Sequence, residues 1–309
     1  MHARGVCCCM PELRADVECR TSKAIAMASG ERYRDSKQQR QPSRALQRPS
    51  SNEVLVRMHL LRSLLLCWAA WALSLGTSAH DLWIVATSEG PLLRAELNFG
   101  DPGKRDPLIL QRLLDLNLVT ATGTVLMREG ILEPRQVGER PVLLSEPFMP
   151  PATPAVLTAR YDNGYWVKTP GGMRNTSKRL YPAATESLWS TKMAKTLMGP
   201  GANHIVVGHD LELMALDDPF TLKAGQPLRI SVLLHGMPLT DAEVRVEDGT
   251  TLVPDKDVPA YHAGADGVVS VQIERRGPYV LAVEYRSAGR DPELAASDQY
   301  DATLAFWLH

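Results

Sequence analysis

From residue 211 to the end, the chain repeats one pattern: a short segment with an apolar side chain at every second position, then a turn rich in glycine, proline or aspartate. The segments are 211–216, 228–234, 242–247, 268–273, 278–285 and 302–307. Alternation with period two is the mark of strands buried on one face. The punctuation includes Gly225, Pro227, Gly236, Pro238, Gly249 and Gly267, residue types whose backbone preferences suit tight turns. Strands at this spacing predict an immunoglobulin-like β-sandwich over 208–309.

The preceding stretch, 80–207, is less regular but also reads as β, with strands expected at 82–87, 92–98, 123–128, 142–144 and 155–161. Residues 106–118 fit helix or strand equally. A helix is predicted over 186–198: Thr185 can cap it, Trp189, Met193 and Leu197 recur four residues apart, and Gly199 and Pro200 end it. Residues 161–170, with Tyr161, Tyr165 and Trp166 around Asn163 and Gly164, are expected to turn and pack their aromatics on that helix. The fold class is thus mainly β, two sandwich domains with one helix.

Ahead of these segments, residues 58–79 read as a secretory signal peptide. Met58, His59 and Arg62 supply a positive start, 63–75 an apolar run too short to span a bilayer, and Thr77, Ser78 and Ala79 small residues before a cut. Cleavage after Ala79 leaves His80 first. Residues 1–57, basic and polar with Cys7, Cys8 and Cys9 in a row, read as a start assigned too early and are expected to be disordered. Without residues 1–79 the chain keeps 22 of its 34 Lys and Arg and 29 of its 35 Asp and Glu, a formal balance of −7. That acidity argues against nucleic acid or an anionic membrane as partner and favours cations. All five cysteines fall before residue 80, so no disulfide framework supports the exported part. No second apolar run approaches the roughly 20 residues of a membrane helix, so a periplasmic protein with no membrane span is expected.

Nucleophilic catalysis has little to work with, since the exported part lacks cysteine and has no serine elbow. Phosphate-cradling glycine loops are absent too. Histidine remains, at His80, His204, His209, His235, His262 and His309. As a first residue, His80 would carry a free α-amine with a pKa of about 7.7–8. Amine and ring Nδ1 can close a chelate ring on a first-row divalent ion, with Asp81 as an oxygen donor. Of the others, His209, beside Asp210 and Glu212, is the preferred second ligand. His204 and His209 flank an apolar stretch and would face opposite sides of a strand unless Gly208 bends it. His235 and His262 fall in expected turns. The candidate metal ligands are therefore His80, Asp81 and His209, and no catalytic residue is assigned.

Several segments together resemble a bacterial family, the NikM-like domain of unknown function grouped with periplasmic components of nickel and cobalt uptake systems. They are Ala79 to Trp83; Tyr161 to Pro170, with Asn175 and Lys178; Lys192 to Lys195; Val207 to Leu213; Asp218 and Pro219; Ala224 to Pro227; and Tyr300 to Phe306. The resemblance implies an exported, non-enzymatic protein of β-sandwich domains that binds nickel or cobalt and hands it to a membrane uptake transporter. Two other expectations stand beside it. One is a copper protein using the same histidine brace, as carrier or oxygenase; the other is an envelope interaction module in which the histidines are incidental.

Overall fold

The computed structural model describes residues 80–131, 134–152 and 154–308. The signal segment, the five cysteines and His309 lie outside them. Among the described residues the chain is mainly β, as expected. The strands of the first half are β1 Asp81–Glu89, β2 Leu92–Asp101, β3 Lys104–Arg105, β4 Leu113–Thr120, β5 Gly123–Leu126, β6 Arg135–Val137, β7 Arg140–Leu144, β8 Ala155–Thr169, β9 Gly172–Arg174 and β10 Glu186–Met198. Those of the second half are β11 Leu211–Ala215, β12 Pro227–Leu234, β13 Met237–Pro238, β14 Glu243–Glu247, β15 Ala260–His262, β16 Val268–Gln272, β17 Gly277–Ala288 and β18 Ser297–Leu308.

These strands make three sheets. The largest has the order β15-β14-β17-β18-β10-β8-β4-β5 with β9 added beside β8; a second runs β1-β2-β7-β6 with β3 on β2; the third runs β11-β12-β13 with β16 on β12. The large sheet is the middle layer. On one face Met193, Leu197, Tyr279, Leu281, Leu304 and Phe306 pack against Leu213, Ile230, Val232 and Val271 of the third sheet. On the other, Leu116, Leu157, Ala159 and Ala194 meet Leu82, Ile84 and Leu97 of the second, while Trp83 packs on Val280 and Ala305. Two hydroxyls fix β1 across this face: Thr196 Oγ1 donates to the Ile84 carbonyl at 2.8 Å, and Thr303 Oγ1 to that of Leu82 at 2.6 Å.

The helix expected over 186–198 is absent; the segment is β10. It pairs antiparallel with β8 and parallel with β18, and is buried along nearly its whole length. A spacing of four is one helical turn but also twice the strand repeat, so Trp189, Met193 and Leu197 share one face in either conformation. β10 is buried on both faces, so its odd and even residues are equally apolar or paired, and no alternation marks it as a strand. The parallel register, Leu188 opposite Ser297 through Thr196 opposite Ala305, carries the middle sheet across the boundary expected between residues 207 and 208.

Residues 161–170 are not a reverse turn; most belong to β8, which has a bulge at Asn163. Asp162 faces Thr191 and Gly164 faces Ser190, leaving Asn163 unpaired. Gly164 takes a left-handed φ of 80°, which the missing Cβ permits. An extra residue shifts the side-chain phase by one. Before the bulge Leu157, Ala159 and Tyr161 face the second sheet; after it Trp166 and Lys168 face the same way and line one cavity with Tyr161.

Candidate functional site

Next to the start of β1 the middle sheet leaves a cavity of about 520 Å³ uncovered, and His80 stands among its walls. Its position follows from the β1–β2 hairpin, where Asp81 lies opposite Gly100 and Leu82 opposite Phe99. Gly100 is required here. Its φ is +113°, and a Cβ would lie 2.8 Å from the Lys104 carbonyl oxygen and 3.0 Å from the Asp106 nitrogen. With glycine the chain folds back on itself, the Asp106 amide donates to the Phe99 carbonyl at 2.8 Å, and the Asp106 carboxylate returns to His80. His80 Nδ1 and Asp106 Oδ2 are 3.0 Å apart, both side chains nearly half exposed. The imidazole stands edge-on to Phe99, with centroids 5.8 Å apart. Phe99 in turn meets Tyr161, whose hydroxyl accepts from the Ile109 amide.

The even residues of β10, Glu186, Leu188, Ser190 and Lys192, run along the cavity floor. Lys192 is 2% exposed. Its Nζ donates to Asp301 Oδ2 at 2.8 Å and lies 5.9 Å from the Phe99 ring centre. Gln299 Nε2 donates to both Asp301 oxygens, and Ser190 Oγ to one of them. Asp81 joins the same buried layer instead of the rim. Its Oδ2 accepts from Arg245 Nη2 at 2.8 Å. Burial pushes its carboxyl up to about 7 although Arg245 pulls the other way, and Asp301 adds to the rise. Asp81 is thus turned from His80 into the interior, and the oxygen donor beside the imidazole is Asp106.

His209 lies on the opposite face of the middle sheet. Its Nε2 is 3.1 Å from Thr158 Oγ1, and Thr158 shares its β8 face with Val156, which packs against the third sheet. Around it is a buried clasp: Lys195 Nζ donates to Glu212 Oε1 and to the Ile205 carbonyl, both at 2.7 Å, while the Glu212 carboxylate accepts the amides of Val207 and Gly208. Gly208 bends the chain with a φ of 80°. Burial pulls the His209 imidazole down to about 4, against the attraction of Glu212. His80 and Asp81 adjoin in the chain but face different surroundings, and His209 is brought to neither. The remaining histidines pair singly where they have acidic partners: His235 with Asp210 at 3.4 Å and His262 with Glu243 at 3.8 Å. Among the described residues no group of three or more His, Cys, Asp or Glu side chains converges on one point. Any ion held at His80 would need its third protein donor from the main chain.

Reading the sequence missed Asp106, Lys192 and the cavity itself. The cluster Gly100, Asp101, Pro102 and Gly103 was a signal that the chain doubles back after β2. Among the described residues no helix is long and apolar enough to cross a membrane. Set against the curated proteins, the sequence matches none. A family model does match, over residues 77–287, more than half of the chain, and the protein belongs to that family, a domain of unknown function (DUF4198).

Proposed function

We propose that the protein is an exported carrier of a divalent transition metal, cut after Ala79 so that the His80 amine and Nδ1 chelate the ion and Asp106 supplies a carboxylate oxygen. The observation that supports it is the 3.0 Å approach of Asp106 Oδ2 to His80 Nδ1 at the cavity mouth. Imidazole, amine and carboxylate form a nitrogen-rich set suited to nickel, cobalt or copper and poorly suited to calcium or magnesium. An exposed rim fits delivery, because an ion held there is released without unfolding the core. In this reading the recipient is a membrane uptake transporter for nickel or cobalt, and the protein performs no turnover.

Amino-terminal sequencing of exported protein should give His80 first. Calorimetric titration with Ni(II), Co(II) and Cu(II) should give one site, weakened at least 100-fold in His80→Ala and about tenfold in Asp106→Asn. A chain starting elsewhere, or equal binding by the His80→Ala variant, would overturn the assignment.

A further inference from the structure

We infer that the ion arrives as a complex with a small organic carboxylate, and that the cavity beside His80 holds the organic part. This rests on the metal site proposed at His80 and Asp106, and it specifies the cargo. Size is the first argument. An ion with six waters occupies roughly 180 Å³ at about 30 Å³ per water, and the cavity offers about 520 Å³. The character of its walls is the second. Phe99, Ile109, Trp166 and Leu188 present apolar and aromatic surface, which a hydrated ion has no use for and the carbon skeleton of a chelator does.

Charge is the third argument. The cavity is bordered by Arg112, Lys168, Lys192 and Arg286 against the carboxylates of Asp106 and Glu186. Glu186 is engaged by Arg286 at 3.0 Å and approached by Lys168 at 3.8 Å. The Arg112 guanidinium donates to the Asn163 carbonyl and the Asn175 amide oxygen, neutral acceptors that leave its charge uncompensated. Lys192 has three N–H donors, and its one hydrogen bond goes to Asp301. Lys192 is matched by Asp301 and Arg286 also by Glu284, so of these four cations Arg112 is the one with no carboxylate beside it, and a bare dication at Asp106 would leave it so. A carboxylate-bearing chelate supplies Arg112 with a partner and the spare N–H donors of Lys192 with an acceptor, and lays its carbon atoms on Phe99 and Trp166.

The test uses exported protein freed of metal, with binding followed by calorimetry and tryptophan fluorescence. The probes are nickel chloride alone, L-histidine alone, citrate alone, and nickel premixed with either carboxylate. At least one premixed complex should bind tenfold or more tighter than nickel alone, and tighter than either carboxylate alone. Lys192→Met and Trp166→Ala should each remove most of that gain. Trp166→Ala keeps the test open if loss of the Lys192 partner to Asp301 prevents folding. If the carboxylates weaken nickel binding in proportion to the free ion they remove, the cargo is the bare ion; this inference fails and the metal site stands. If a carboxylate alone binds as tightly as its complex, the cavity is a separate site and the inference again fails. Binding of neither nickel nor complex overturns the metal site and this inference together.

Discussion

The two buried lysines of β10 show how one strand in a middle layer serves both faces. Lys192 turns toward the cavity and Lys195 toward the third sheet, each 2% exposed and each held by a buried carboxylate. Such charges persist only because their desolvation is offset by paired, well-directed hydrogen bonds. Beside Lys195, His209 is held neutral, and this has a sign in pH. Its imidazole is lowered to about 4 in the folded protein against 6.5 when exposed. Between those values the unfolded chain binds more protons than the folded one, so stability rises with pH there and is lost as the solution is acidified from 6.5 toward 4. The contribution is at most about 3 kcal/mol. Urea unfolding of wild type and His209→Asn at pH 7 and pH 4.5 measures it: wild type should lose more stability on acidification, by about 1–3 kcal/mol. Equal losses in the two proteins would show that His209 titrates normally.

At the scale of elements, legibility depended on how many faces a strand buries. The strands β12, β14 and β16 alternate because one side is covered, and they fall where the sequence predicts them. β10 is covered on both sides and reads as a helix; β8 changes phase at Asn163, and its second half reads as a turn. The same limit applies to the site. Of the proposed site, His80 was picked out by the small residues before it, whereas Asp106 reaches it only through the fold-back at Gly100. That fold-back yields a prediction at two glycines of one hairpin system. Gly90, at φ +60°, has nothing within 4 Å of the point where a Cβ would stand, whereas Gly100, at φ +113°, has two backbone atoms within 3.0 Å of that point. Gly90→Ala should cost about 1 kcal/mol from backbone strain alone. Gly100→Ala should cost at least about 2–3 kcal/mol and weaken nickel binding several-fold, because relief of the clash must move the segment carrying Asp106. Melting curves and titrations of the two variants decide it. Equal costs, or unchanged metal affinity in Gly100→Ala, would mean that the turn does not position Asp106.

For the whole molecule, the decisive feature is that one sheet supplies a wall to both cores. Apolar clusters lie on its two faces, one largely from the second half of the chain together with β10, the other from the first half. β10 contributes to both, Met193 and Leu197 on one side and Ala194 on the other. Melting either core therefore exposes the back of strands that form the floor of the other, and the parallel seam of β10 with β18 would have to part or be left half bare. Residues 80–308 contain no cysteine, so no disulfide within them can hold one half while the other unfolds. Unfolding should consequently be a single cooperative transition. Far-ultraviolet circular dichroism reports all three sheets. Tryptophan fluorescence reports Trp83 between β1 and the middle sheet, Trp166 at the cavity, Trp189 on the opposite face and the half-exposed Trp307 of β18. In urea the two signals should trace one curve with one midpoint, and the calorimetric and van't Hoff enthalpies should agree. Two separated midpoints, with the Trp83 and Trp166 environments lost first, would show that the halves are independent domains and that the shared sheet is a weak seam. If His80 holds a metal as proposed, nickel sharpens the comparison. If the molecule is one cooperative unit, saturating nickel must shift the whole transition upward by mass action; if it is two, only the half containing the cavity will move.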